Sequence, residues 1–423
     1  MNTGILLVVL ILVLMFLGVP IGISLCLPLF IILLVEPVTT PYYLLTIFFS
    51  GIAKFTLLSV PFFILAGAIM EKGGISKRLV RCANSLVGNV TGSLGAVAIL
   101  ACMFFGAVSG SASAAVAAIG SVVLPEMVRA GYDKIYAVAL VAAAGSLGVI
   151  VPPSFPMLVY CTTNNVSVGD MFIAGFGPAF LIGGMLMIIN YLYSKKMGYK
   201  TEHKIKPNEI ISAFVDGLPA LFMPVIILGG IYGGIFTVTE AAVVSTVYGI
   251  FISLFVYKEI SLKEILNLYR QNAIFLGSVM LMLAVSPGLG RMFTYLGVNT
   301  SINTFFLNFT GSYWLVIIIV FMVIFIAGML LDATPFIIIL SPILLPVLTS
   351  FGMHPIHFGI IMIAGLSIAF ITPPVACNLF TASSMTGVSV NKIAGKIGYF
   401  LVGLIICFFI LAFVPKISMF LIL

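Results

Sequence analysis

Two short stretches hold residue types suited to gripping a small ion or polar ligand inside an otherwise apolar chain. Gly106-Ala107-Val108-Ser109-Gly110-Ser111-Ala112-Ser113 gathers three hydroxyls within five residues, and Ala327-Gly328-Met329-Leu330-Leu331-Asp332-Ala333-Thr334-Pro335 sets a carboxylate beside a hydroxyl. Each is followed by a proline pair, in Gly148-Val149-Ile150-Val151-Pro152-Pro153-Ser154 and in Phe370-Ile371-Thr372-Pro373-Pro374-Val375. Proline removes a backbone donor and breaks a helix, so carbonyls are left free. Hydroxyls with freed carbonyls make a hard-oxygen shell suited to Na⁺, while the exposed N-terminus of a half-helix suits an anionic group.

Each motif also has a plainer reading. Asp332 is the only carboxylate beyond Glu264, and an ionised carboxylate at membrane depth costs a few kcal/mol even on insertion scales, so it normally has a task. It would ligate a cation, orient a substrate hydroxyl or amide, or hold the turn; the competing reading is a loop residue near the interface. Ser109, Ser111 and Ser113 would serve close helix packing or bind a ligand. The proline pairs would be kinks or unwound stretches, in which Val149, Pro152, Thr372 and Pro373 offer carbonyls and Thr372 a hydroxyl. His354 and His357 bracket Pro355 without an HExxH pattern and read as exposed loop residues. Glu240 either pairs with a basic residue or begins a helix. Lys54 and the 258–270 segment read as interfacial helices with snorkelling charges.

The elements that must position these residues come in two copies. Pro152 and Pro373 lie 221 residues apart, and the same offset carries Ala112 onto Ala333, Ser113 onto Thr334, Leu124-Pro125 onto Leu345-Pro346 and Gly131 onto Gly352. Broken helices at corresponding places in two halves of an apolar chain point to a secondary transporter's site. The first half, 1–194, carries a hairpin over about 89–128 with its tip at Ser109 to Ser113, and a broken helix over 135–163. A linker at 195–210 leads to the second half, 211–423, with a hairpin over about 314–349 and a broken helix over 357–383. Scaffold and transport domains would each be assembled from both repeats.

Composition sets the class. Of 423 residues, 62% are hydrophobic and 7% charged, against about 25% charged in soluble domains, so the chain is an all-α polytopic membrane protein. The net charge of +7 resides in short segments between spans and reads as a topology signal, which removes nucleic acid as a partner. Glu71 to Arg81, Arg129 to Lys134 and Lys195 to Pro207 read as basic loops on the cytoplasmic side, and the segment with Lys392 and Lys396 reads as a further loop. The segments 297–311 and 350–357 lack Lys and Arg and read as periplasmic loops. The two repeats are therefore inverted, each hairpin is re-entrant, and both termini are expected to be periplasmic. Cys26, Cys82, Cys102, Cys161, Cys377 and Cys407 show no metal or disulfide spacing. Met1 to Leu17 lacks a basic n-region and reads as a retained first span. There is no GxxxxGK[ST], GxSxG or HExxH stretch, so the chain is expected not to use ATP itself, and energy is expected from an ion gradient or from another subunit.

Gly233-Gly234-Ile235-Phe236-Thr237-Val238-Thr239-Glu240-Ala241-Ala242, the serine-rich tip, Gly148 to Ser154, Gly328 to Pro335 and Ile371 to Asn378 together resemble the large membrane subunit of tripartite ATP-independent periplasmic (TRAP) transporters, over essentially the whole length. That resemblance implies an elevator-type fold of the ion-transporter superfamily and Na⁺-coupled import of an organic acid across the bacterial inner membrane. It implies two partners, a small four-helix membrane subunit and a periplasmic substrate-binding protein. The chain opens directly on the large subunit's first span, so the small subunit is expected as a separate chain. The family handles C4-dicarboxylates, 2-oxo acids and sialic acids, and overall likeness is greatest to the sialic acid type. Carried over, one Na⁺ site would use Ser109, Ser113, Gly145, Val149 and Pro152, and another Gly328, Thr334, Thr372 and Pro373. Substrate would lie near Ser111, Ser154, Asp332 and Asn378. No Arg or Lys falls within these motifs, so charge compensation would rest on helix N-termini, hydroxyls and bound Na⁺.

Other readings are a stand-alone Na⁺-coupled carboxylate carrier of the same broad fold, and an intramembrane enzyme on lipid-linked substrates. The latter needs a nucleophile with a nearby base, which the apolar segments do not offer.

Overall fold

The computed structural model describes residues 3–88, 90–199, 207–309, 312–374 and 376–422. Among them, nine helices are long and apolar enough to cross a membrane, the expected solution where every backbone polar group must be satisfied within its own segment. Gly18 (φ +79°) and Pro20 separate Thr3–Phe16 from Ile21–Val35. Pro41–Ile52 follows, started by Thr40, whose side chain accepts from Tyr43 N at 3.2 Å. Lys54 then stands in a short break before a 3₁₀ turn and the helix Ser59–Lys72.

Three segments expected as loops are helical. The basic stretch after Glu71 turns at Gly73-Gly74 and enters the helix Ile75–Val87. Ile75, Leu79, Val80, Cys82 and Ala83 bury one face of it, the spacing of an amphipathic helix. Its Arg78 donates to Asp216 at 3.1 Å, Glu259 at 3.0 Å and the Gly74 carbonyl at 2.9 Å, with its guanidinium 3.7 Å from the Tyr257 ring centroid. In the second half, Val298–Phe309 is a helix where 297–311 was expected to be loop. Lys392 and Lys396 belong to the helix Val390–Phe413. Of the expected linker, Lys195 and Lys196 end the helix Val168–Met197 and Pro207 begins Pro207–Tyr232. Lys200, Lys204 and Lys206 lie outside the described residues, as do Asn89 and Val375.

Each half contains a helical hairpin and a broken helix. The first hairpin is Ser93–Ser109 and Ala112–Arg129; the second is Tyr313–Leu330 and Ala333–Ser350. The first broken helix runs Lys134–Gly145, a 3₁₀ turn, the proline pair and Phe155–Asn164. The second runs Pro355–Ala369, the proline pair and Cys377–Thr386. Both Pro-Pro bonds are cis.

The halves interlock. The post-break helix Phe155–Asn164 packs on Ala333–Ser350 of the other half, and Cys377–Thr386 packs on Ala112–Arg129. Outside this group, Ile21–Val35 packs on Leu262–Tyr295 and Ser59–Lys72 on Val238–Phe251. Thr239 and Thr246 donate to the Phe55 and Phe62 carbonyls at 3.1 and 2.9 Å, which holds that last pair parallel. Ser146 and Ser367, 221 residues apart, meet where the two broken helices cross, the Ser146 hydroxyl donating to the Ser367 carbonyl at 3.0 Å.

Candidate functional site

The first tip is built from a helix stop and a helix start two residues apart. Gly110 (φ +61°) ends Ser93–Ser109 in the left-handed conformation that glycine adopts without strain. Ser111 is extended and caps the next helix, its Oγ accepting from Ala114 N at 3.4 Å. Ser109 Oγ accepts from Ser111 N at 3.4 Å, and the Ser111 and Ser113 hydroxyls are 3.4 Å apart. Ser113 is exposed at the rim, whereas Ser109 and Ser111 are half-buried.

The broken helix meets this tip backbone to backbone. A Cβ at Gly148 would come within 2.5 Å of the Ser111 carbonyl oxygen, one at Gly145 within 3.1 Å of the Ala112 carbonyl oxygen, and one at Gly106 within 2.8 Å of the Gly148 Cα. Phe155 N donates to the Gly110 carbonyl at 3.4 Å. Ser154 is buried and its hydroxyl donates to the Val149 carbonyl. Pro152 turns away to pack against Gly175. Ser109, Gly110 and Ser154, with Phe63, Phe155 and Phe172, enclose a space of about 20 Å³, enough for one water-sized occupant. The structure thus gathers Ser109, Ser111, Gly145, Val149 and Ser154 around one tip and leaves Ser113 at its edge.

The second tip differs in a way that bears on chemistry. Asp332 occupies the position equivalent to Ser111 at the start of Ala333–Ser350, yet its carboxylate makes no capping bond. It is exposed and takes part in no ion pair among the described residues. It borders a cleft of about 470 Å³ whose other walls include Leu12, Met15, Ile21, Ile326 and Leu330. A free carboxylate at a helix N-terminus is favoured by the helix dipole and remains available to a cation or to donors on a ligand. Gly328 brings this hairpin onto the second broken helix; a Cβ there would lie 2.7 Å from Ala369 Cβ. Thr334 is buried, Thr372 donates to the Ile368 carbonyl at 2.8 Å, and Pro373 is exposed.

Asn378 sits in the core. It is fully buried, donating to the Ala142 carbonyl at 3.0 Å and the Ser146 hydroxyl at 3.3 Å, with Oδ1 unpartnered among the described residues. Together with Ser146 and Ser367 it forms a polar knot between the repeats. Ser146 and Ser367 obey the 221-residue offset, which is the signal that would have found them. Two further ties had no such signal: Lys54 Nζ donates to Asn165 Oδ1 at 2.7 Å, and Asn164 Nδ2 to Ser341 Oγ at 2.8 Å. Glu240 resolves to the helix-start reading, closing a capping box in which its carboxylate accepts from Thr237 N at 2.8 Å. His357 is a correction. It is buried inside a helix, its Nδ1 2.7 Å from Ser418 Oγ, because the short terminal helix Lys416–Met419 folds back over it.

Comparison with known proteins agrees with this architecture. Residues 8–417 match the family model for the tripartite ATP-independent periplasmic transporter, DctM component. An isethionate TRAP transporter permease protein, DctMQ, of Oleidesulfovibrio alaskensis is 38% identical over 404 residues, covering 95% of this chain, which spans 64% of that relative's length. A C4-dicarboxylate TRAP large permease protein of Pseudomonas aeruginosa is 37% identical, covering 88% of this chain and 87% of the relative. The sialic acid TRAP large permease protein of Vibrio cholerae is 32% identical, covering 96% and 95%. Among solved structures, the Alcanivorax borkumensis YdaH transporter aligns with a TM-score of 0.62 at 13% identity, over 88% of each chain. Neisseria gonorrhoeae MtrF aligns at 0.60 and 16% identity, over 88% of this chain and 84% of its own. At such identities these two speak for the fold alone.

Proposed function

The chain belongs to the DctM-component family of tripartite ATP-independent periplasmic transporters as a large permease subunit, a transporter component and not an enzyme, and we propose that it couples inward Na⁺ movement to import of an organic anion. The observation that carries this reading is the pair of tips, each backed by a proline-broken helix, with the uncapped Asp332 carboxylate at the second. Ser109 and the carbonyls around Gly145 and Val149 would form one Na⁺ shell, with Ser113 and Pro152 at its margin. Gly328, Thr334, Thr372 and Pro373 would form the other. Substrate would bind between them against Ser111, Ser154 and Asp332, with Asn378 supporting from beneath.

The two interlocked hairpin–break units are read as the mobile part of an elevator, and the helices around Ser59–Lys72 and Val238–Phe251 as the fixed scaffold, in a bacterial inner membrane. A small membrane subunit and a periplasmic binding protein complete the machine. The relatives bear isethionate, C4-dicarboxylate and sialic acid names, which supports an acid with a compact anionic head; N-acetylneuraminate is our first candidate and a C4-dicarboxylate or 2-oxo acid the second. The test is uptake of each labelled acid by proteoliposomes holding the chain and its small subunit, with the binding protein outside. Uptake of one acid that requires the binding protein supports the reading. Uptake by the chain alone would favour a stand-alone carrier, and no uptake of any acid would refute it.

A further inference from the structure

A second cavity, largely apolar but with two lysines at its wall, lies away from the tips, where Val168–Met197 ends beside the start of Val390–Phe413. It measures about 390 Å³ and is lined by Lys196, Lys396, Tyr193, Tyr399, Ile189 and Leu192. Lys396 Nζ donates to Tyr193 OH at 3.3 Å and lies 5.7 Å from that ring's centroid. The Tyr193 ring is fixed by stacking on Tyr136 at 3.8 Å and by Tyr399 at 5.7 Å, and Tyr136 is held in turn by its hydroxyl bond to Asn190 at 3.2 Å. Neither lysine makes an ion pair among the described residues. Asp133, the carboxylate of the neighbouring turn, is engaged in capping, its Oδ1 accepting from Tyr136 N at 2.7 Å.

We infer that this cavity binds the headgroup of an anionic phospholipid. Two ammonium groups outside any ion pair among the described residues supply charge for a phosphate diester, and the tyrosine hydroxyls supply donors. Tyrosine is the residue that settles at the membrane–water boundary, and basic pockets between spans are suited to acidic headgroups. Ile189, Leu192 and the exposed face of Tyr399 continue the cavity toward the apolar surface, where acyl chains would lie. The other basic cleft, with Arg129 and Lys134, is less suited, because no tyrosine lines it among the described residues. A lipid bridging the ends of these two helices would fasten them at the level of the bilayer surface.

The probe is phosphatidylglycerol, against phosphatidylcholine, added to the detergent-purified chain and followed by native mass spectrometry and thermal unfolding. The double variant Lys196→Gln/Lys396→Gln is expected to bind phosphatidylglycerol about thirtyfold more weakly, the effect of two headgroup-facing lysines. The double variant Lys195→Gln/Lys392→Gln, with the same charge change outside the cavity, is expected to bind as the parent does. Equal losses in both variants, or equal retention of phosphatidylcholine, would overturn the assignment. Displacement of the lipid by millimolar inorganic phosphate would mark a site for a soluble anion and would also overturn it. Unfolding temperatures without lipid establish that both variants are folded.

Discussion

The Ser146 hydroxyl donates to the Ser367 carbonyl at 3.0 Å, and the two residues are 221 positions apart, the same offset that superimposes the proline pairs. Equivalent residues of two repeats touch only near the axis that relates the repeats. The polar knot of Ser146, Ser367 and Asn378 therefore marks the centre about which the hairpins and broken helices are arranged, and both candidate ion shells are built outward from it.

Ser146→Ala removes the bond across the repeats and an acceptor for Asn378. A buried hydrogen bond contributes about 1 kcal/mol, and stranding the buried Asn378 amide adds to that. The variant is expected to unfold at lower temperature with its fold intact, and Ser146→Thr to lose less. Thermal unfolding in detergent reads this directly.

Gly148→Ala places a methyl 2.5 Å from the Ser111 carbonyl oxygen, where both neighbours are backbone and cannot swing aside. Overpacking of this kind costs about 1–3 kcal/mol, and the tip itself must shift. Transport is expected to fall sharply along with stability. Gly184→Ala, where no atom lies within 4 Å of the new Cβ, is expected to leave both unchanged.

Arg78→Ala breaks two carboxylate contacts and one carbonyl contact at once. Its partners are about a third exposed, so solvent screening reduces the loss to about 1–2 kcal/mol. Arg78→Lys is expected to recover little, because an ammonium lacks the planar fork that reaches Asp216 and Glu259 together. Comparing the unfolding temperatures of the two variants checks both statements.

Asp332→Ala is expected to abolish or severely reduce transport while the protein stays folded and inserted, since the carboxylate makes no bond that the fold depends on. Normal expression and unfolding temperature with lost uptake is the predicted pair of results. Retained parental uptake would leave Asp332 without a role in transport.

The proline pairs, the serine tip and the Asp332 tip were legible because backbone breaks in apolar segments are punctuated by Pro, Gly and Ser, and because the sequence repeats them. The helix Ile75–Val87 was not, since its charges resemble a loop until Asp216 and Glu259, distant in sequence, are seen to meet Arg78. The burial of His357 is not legible for the same reason: only the fold reveals that Ser418 returns to cover it. Glu240 was open between two readings because the local pattern Thr237-x-x-Glu240 fits a capping box but does not exclude a distant cation. Asn378 carried a motif-level expectation of ligand contact, yet its nearest partners belong to the other repeat, which spacing within one segment does not disclose.

The most direct test of the central claim is the ion dependence of uptake. Proteoliposomes holding the chain and its small subunit, with loaded binding protein outside, are given an inward Na⁺ gradient, or the same osmotic gradient of K⁺ or choline. Accumulation of labelled organic acid above its external concentration with Na⁺ alone, and its loss in Asp332→Ala, is the predicted result. Equal accumulation with K⁺ or choline would contradict Na⁺ coupling, and with it the assignment of the two tips as Na⁺ shells.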